Sequence, residues 1–179
     1  MLARLMEEST DWLKDLLDAW KREYPAVETT ALPPLVRLAR LAVLIESFQA
    51  EVLEPFELTA SDYSVLAALR RAGRPYALNP SQLYSRLERS SGGMTKILKR
   101  LEQSGLVGRS PDPLDGRSSR VSLTPDGLEA QDRIFYAFLT ATDRLLSSLS
   151  APRKKETDRV LLELLDVFEG HLARRAPRS

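Results

Sequence analysis

The sequence contains no cysteine, which excludes disulfides, thiolate zinc sites and thiol redox sensing, and suits a reducing compartment. Its single histidine, His171, lies near the C-terminus. Neither a His/Cys nucleophile pair nor a multi-histidine metal cluster can therefore be built within one chain. No glycine-rich phosphate loop is present either, so no catalytic constellation remains; an enzyme is not expected and no cofactor is implied. No apolar run approaches the roughly 20 residues of a membrane span. Glu7, Glu8 and Asp11 stand where a signal peptide needs a basic start and an unbroken apolar stretch. The expectation is a soluble, cytoplasmic protein. Internal repeats are absent, and the basic tail ARRAPRS is the one biased segment.

What the chain does have is enough apolar matter, 43% of 179 residues, for one sizeable core or for a core plus an interface shared with a second subunit. The net charge of +1 hides an asymmetry. Between Arg86 and Arg120 eight basic residues oppose four acids, so this stretch carries +4 and the remainder −3. A localised basic surface is the electrostatic footprint of a nucleic-acid contact, although many such runs are merely solvated faces.

Leu2, Leu5, Met6, Leu13, Leu16, Leu17, Trp20 and Tyr24 recur at spacings of three and four, which predicts an amphipathic helix ending before Pro25. After a Thr/Pro-rich loop from Glu28 to Pro34, a second helix carries Leu35, Leu38, Ala42, Ile45, Gln49 and Val52 along one side. Leu41, Leu44 and Phe48 widen that stripe, as expected of a helix packed on two sides, one of them another subunit. Thr59 is placed to cap a third helix with Val65, Leu66 and Leu69 inward, stopping near Gly73 and Pro75. Asn79 and Pro80 open a short helix with Leu83 and Leu87 inward, followed by a tight turn at Glu88 and Arg89. Ser90 or Ser91 then caps a helix whose buried positions are Met94, Ile97, Leu98 and Leu101, closed by Gly105. Two β-prone segments, Leu106 to Arg109 and Arg120 to Leu123, flank the turn-rich SPDPLDGRSS and predict a hairpin with a long polar tip. Thr124, Pro125 and Asp126 open a long helix to about Leu149. Ser150 and Pro152 start the last one, with Val160, Leu161, Leu164, Leu165 and Phe168 on its apolar face.

Short helix, turn, second helix and hairpin describe a winged helix-turn-helix, in which the second helix enters the major groove. With its apolar positions facing a core, that helix presents Gly92, Thr95, Lys96, Lys99 and Gln103 outward, with Arg100 at the edge. Thr and Lys reach base edges or phosphates, while Gly92 and Gly93 let backbone approach DNA closely. For Arg109 and Arg120, phosphate contact and an ordinary solvated strand position are both open.

Residues 83 to 127 resemble the MarR family of regulators: LYSRLERSSGGMTKILKRLEQSGLVGR, then a turn, then DGRSSRVSLTPDG. The resemblance extends more loosely over residues 32 to 173. It implies that Ser90, Ser91, Gly92, Thr95, Lys96 and Lys99 touch DNA, that Arg117 at the wing tip enters the minor groove, and that Asp115 orients the wing through a salt bridge. A guanidinium suits a narrow minor groove because the potential there is strongly negative. The N-terminal helix resembles that of the urate-responsive branch, which implies Trp20 as the tryptophan that lines its ligand pocket; core or dimer packing is the other reading open for Trp12 and Trp20. Ser64 and Ile97, however, stand where that branch places an aspartate and an arginine. The expected effector is therefore an apolar or aromatic small molecule rather than urate, walled by Trp20, Phe48, Phe56 and Tyr63 in a crevice between dimerisation helices and the DNA-binding lobe.

The sequence thus predicts a mainly α fold with a small β-wing, a winged helix-turn-helix flanked by N- and C-terminal dimerisation helices. Residues 1–31 form a helical extension, 32–58 a dimerisation helix, 59–123 the DNA-binding lobe, 124–174 the C-terminal dimerisation helices and 175–179 a basic tail. The expected function is a homodimeric regulator, a repressor, that binds a palindromic operator in double-stranded DNA through Ser90, Ser91, Gly92, Thr95, Lys96, Lys99, Arg100, Arg117 and Arg120 and is relieved by the effector. The alternative is a winged-helix module used for protein contacts, against which the basic helix face and Arg117 argue.

Overall fold

A computed structural model of the chain describes residues 12–87, 91–111 and 119–175. The chain divides into two compact units, one ending at Tyr63 and the other beginning at Ser64.

The first unit contains α1 (Trp12–Glu23) and α2 (Leu32–Leu53), followed by a 3-10 turn at Glu54–Phe56. In α1, Asp15 near the start and Lys21 and Arg22 near the end complement the helix dipole. Leu13 is buried, and beside it the Arg40 guanidinium of α2 lies 5.0 Å from the centre of the Trp12 ring. This contact ties the extension to α2 by a cation–π interaction. Helix α2 begins at Leu32, inside the stretch whose Thr/Pro content predicts a loop, because Pro33 and Pro34 fall in its first turn. There the backbone N–H groups lack intrahelical partners anyway, so proline costs nothing. Leu35, Leu41, Val43, Leu44 and Ile45 are all exposed in the single chain, so α2 is apolar on more than one side.

Helix α3 (Ala60–Arg71) starts with a reciprocal cap. The Thr59 N–H and hydroxyl donate to Asp62 Oδ2 at 2.9 and 2.7 Å, and the Asp62 N–H returns a 3.2 Å bond to Thr59 Oγ1. Fully buried Asp62 is thus satisfied where an isolated carboxylate would be costly.

The second unit holds β1 (Ala77–Leu78), α4 (Pro80–Leu87), α5 (Ser91–Gln103), β2 (Val107–Pro111), β3 (Ser119–Leu123), α6 (Pro125–Leu145) and α7 (Ala151–Arg175). The strands form an antiparallel sheet in the order β1-β3-β2. Register pairs Val107 with Leu123, Arg109 with Val121 and Ser110 with Arg120, and Leu78 with Val121 on the other side. Strand β1 is not apparent in the sequence, since two residues have no alternation to display. The hairpin strands run one or two residues beyond their predicted ends. Val65, Leu66, Leu69, Leu78, Leu83, Met94, Leu98, Leu101, Val107, Val121 and Ile134 are buried and make the core of this unit. Helix α6 ends at Leu145, four residues earlier than its apolar pattern predicts, and Leu145, Leu146 and Leu149 are exposed. Among the described residues no helix is long and apolar enough to cross a membrane.

Candidate nucleic-acid interface

Helix α4 is held by a capping box: Gln82 N–H donates to Asn79 Oδ1 at 2.8 Å and Asn79 N–H to Gln82 Oε1 at 3.0 Å. Leu83 anchors it in the core, while Leu87 is half-buried. The turn at Glu88, Arg89 and Ser90 lies outside the described residues.

In α5 the four predicted inward positions, Met94, Ile97, Leu98 and Leu101, are all buried. Helical geometry then forces Gly92, Thr95, Lys96, Lys99, Arg100 and Gln103 outward, and all are exposed. Lys96 lies three residues from Lys99 and four from Arg100, spacings that bring the Cβ atoms of both within about 5–6 Å of its own. Such like-charge neighbours cost an isolated helix a few tenths of a kcal/mol per pair, a cost that a polyanion reverses. The acid in α5, Glu102, forms an ion pair with Arg109 of β2. That pair gives Arg109 a partner within the chain. Its side chain shares a sheet face with Val121 and turns to the helix end. Arg120, half-buried, lies on the opposite face across from Ser110. A Cβ added at Gly92 would meet nothing within 4 Å, so packing within the chain does not require glycine there.

The end of α5 is joined directly to the start of α6. Gly105, at φ +71°, closes α5 with bonds from Leu106 N–H to Leu101 O and from Gly105 N–H to Glu102 O, each 3.0 Å. This is the paired arrangement that a left-handed C′ glycine permits. Thr124 Oγ1 donates to Gly105 O at 2.6 Å and accepts from Gly127 N–H at 2.9 Å, while Thr124 N–H donates to Leu106 O at 3.2 Å. A Cβ on Gly127 would sit 1.8 Å from Leu106 O, so only glycine fits. Further along α6, Asp132 receives Arg70 Nε at 3.0 Å and Nη2 at 3.3 Å, and the same guanidinium lies 4.9 Å from the Tyr76 ring centre. The hydrogen bond to Asp132 raises the Arg70 pKa above its usual value. Sequence reasoning identifies Thr124 as a cap but not its bond to Gly105, and misses the Gly127 contact and both ion pairs; the glycines at 105 and 127 are the only local signal of the close approach.

Ser91 opens α5, but its side chain, with Ser90, Asp115 and Arg117, lies outside the described residues. In the first unit, Trp20 is 48% exposed and lines a groove of about 400 Å³ with Tyr24, Val27, Thr29 and Leu32. The Trp20 and Tyr24 rings are 5.7 Å apart and tilted by 34°. Phe48, Phe56 and Tyr63 are half-buried. Ile97 is part of the core of the second unit.

A family model described as MarR family matches residues 56–118. The HTH-type transcriptional regulator PecS of Dickeya dadantii (strain 3937) is 32% identical over 171 residues, covering 96% of this chain and 98% of PecS. The chain belongs to the MarR family. Its fold matches that of a mutant MarR from E. coli complexed with operator DNA, with a TM-score of 0.64 and 26% identity over 78% of this chain and 99% of that one. An organohalide-sensing transcriptional regulator, solved in a 2,4-dichlorophenol-bound form, shares the fold at a TM-score of 0.68 and 18% identity, over 88% of this chain and 90% of that one. As a MarR-family winged-helix protein, this chain is a DNA-binding transcriptional regulator, and α4 and α5 form its helix-turn-helix.

Proposed function

We propose that the protein acts in the cytoplasm as a homodimeric repressor that places two copies of α5 in successive major grooves of a palindromic operator and is released by a small apolar or aromatic effector. The observation that carries the reading is the exposed face of α5, where Lys96, Lys99 and Arg100 stand beside Thr95 on a helix whose opposite face is locked in the core. Thr95 and Lys96 read base edges in this assignment, and Lys99, Arg100 and Arg120 contact phosphates. Ser90, Ser91 and Gly92 bring the helix start close to the backbone. Arg117 and Asp115 keep the wing roles that the family resemblance implies. The exposed leucines, valine and isoleucine of α2 and the apolar side chains exposed along α7 support a second copy as partner. The groove beside Trp20 is within the size range of small-molecule sites and supports an aromatic effector. Ile97, buried and apolar, supports the exclusion of an anionic purine.

Anisotropy titrations test the reading on two duplexes: a palindrome selected by the protein from a randomised pool, and an unrelated duplex of equal length. Lys96→Ala is expected to weaken the selected duplex by about tenfold and the unrelated one by less, because a base-edge contact is worth about 1–3 kcal/mol of discrimination. Equal losses on both duplexes would remove Lys96 from base reading. Equal affinity of the unaltered protein for both would remove sequence-specific binding altogether.

A further inference from the structure

The join between α5 and α6 does more than end one helix and start another. One hydroxyl, Thr124 Oγ1, is shared between the last carbonyl of the α5 cap and the first turn of α6, at 2.6 and 2.9 Å. The Thr124 backbone adds a bond to Leu106 O at 3.2 Å, and the Gly127 backbone is in contact with that same carbonyl. Backbone of one helix end therefore meets backbone of the next with no side chain between them. A rotation of α5 against α6 must break one of these bonds or drive Leu106 O into Gly127. Two turns further along, Asp132 holds Arg70 of α3 by two hydrogen bonds. The opening turns of α6 are thus fixed to the lobe at two points. Gly127, Gln131 and Ile134 are buried there, whereas Phe135, Tyr136, Leu139 and Leu145 beyond are exposed. Full burial ends at Ile134; beyond it Phe138 is half-buried, while Phe135, Tyr136, Leu139 and Leu145 present apolar side chains to solvent in the single chain.

We propose that Thr124 is a positioning residue that makes α5 inherit its orientation from α6, and so sets the half-site spacing the protein accepts on DNA. The inference rests on the dimeric, operator-binding reading above. If the second copy holds the exposed part of α6, the separation of the two α5 helices is transmitted through the Thr124 join. A stiff join accepts one spacing. A loosened join lets each α5 adjust to its own half-site.

The test uses the full chain and the palindrome it selects from a randomised pool, remade with one base pair inserted or deleted at the centre. Either change rotates one half-site by about 34° and moves it by about 3.4 Å. The unaltered protein is expected to lose about 30-fold or more in affinity on each altered duplex, in keeping with the discrimination typical of specific sites. Thr124→Val keeps the side-chain shape but removes both hydroxyl bonds, and is expected to lose less than about fivefold on the altered duplexes relative to the original. Thr124→Ser restores the hydroxyl and should discriminate as the unaltered protein does. Sedimentation and circular dichroism establish that each variant is folded and assembled as the parent is. If Thr124→Val is weakened by the same factor on all three duplexes, or does not fold, the residue is a structural cap and the inference is overturned alone. If the unaltered protein binds all spacings equally, the dimeric reading fails and the inference with it.

Discussion

Two glycines in this chain make opposite demands, and substitution by alanine separates them. In most helices Gly→Ala is favourable, because glycine loses more backbone freedom on folding, by roughly 0.5–1 kcal/mol. At Gly127 the sign reverses, since the new methyl would lie 1.8 Å from Leu106 O, a backbone atom that cannot step aside without moving the end of α5. Gly127→Ala is therefore expected to lower stability by about 2–3 kcal/mol in urea unfolding, in the range of overpacked cores. Unchanged stability would show that the join opens easily. At Gly92 a methyl meets nothing within 4 Å, so Gly92→Ala is expected to leave stability unchanged or raise it by up to about 0.5 kcal/mol. Its affinity for the selected palindrome should nevertheless fall by about fivefold or more, because the space that is empty in the folded chain is where DNA backbone approaches. Gain of stability with full DNA affinity would place the start of α5 away from the duplex. The sequence showed one of these glycines as a helix-start feature and the other only as part of a motif. Periodicity reports which face of a helix is buried; it carries no information about a contact between residues 106 and 127, whose nearness depends on how the hairpin closes.

At the level of the elements, the chain was most legible where a local rule acts alone. Asn79 and Pro80, Thr124 and Pro125, and the buried quartet of α5 follow from capping chemistry and a 3.6-residue period, and the structure has each of them in its expected place. Legibility failed where two local signals compete or where tertiary pairing decides. Pro33 and Pro34 signal a loop and equally a first helical turn, and the apolar residues that follow tip the balance towards helix. Strand β1 exists only because β3 offers its free edge. Arg109 was ambiguous because its partner, Glu102, sits on another element. The capping box on α4 supplies a prediction at this scale. Asn79→Ala removes the acceptor for Gln82 N–H and Ser81 Oγ, and is expected to cost about 1 kcal/mol of stability. Asn79→Ser should recover most of it in the same unfolding experiment. A loss below about 0.3 kcal/mol would mean that α4 is held by Leu83 rather than by its cap.

At the scale of the whole molecule, α2 and α7 leave many apolar side chains exposed among the described residues of the single chain. Along α7, Leu161, Leu165, Phe168 and Leu172 recur at intervals of four, three and four, and all are exposed. That spacing draws one continuous stripe down the helix, the pattern of a seam between packed helices rather than of scattered surface leucines. On α2 the exposed residues lie on several faces, so one partner helix cannot cover them all. A second copy brings the same stripes twice and satisfies both helices, which is the economy of a twofold interface. The prediction is that the double substitution Leu165→Glu, Phe168→Glu converts the protein to a monomer at about 1 μM in sedimentation velocity. Two carboxylates on this stripe of each copy would have to be desolvated on pairing, and this outweighs the remaining apolar contact. The winged-helix lobe keeps its own core of Leu66, Leu69, Leu83, Leu98 and Val121, none of which lies on α7. Far-UV circular dichroism should accordingly retain much of its helical signal. The monomer should then bind the selected palindrome no better than a duplex carrying a single half-site, because the gain from joining two contacts in one particle is gone. A substituted protein that remains dimeric and still prefers the palindrome would move the interface off α7. One that is monomeric yet keeps full preference for the palindrome would show that each chain reads its operator alone.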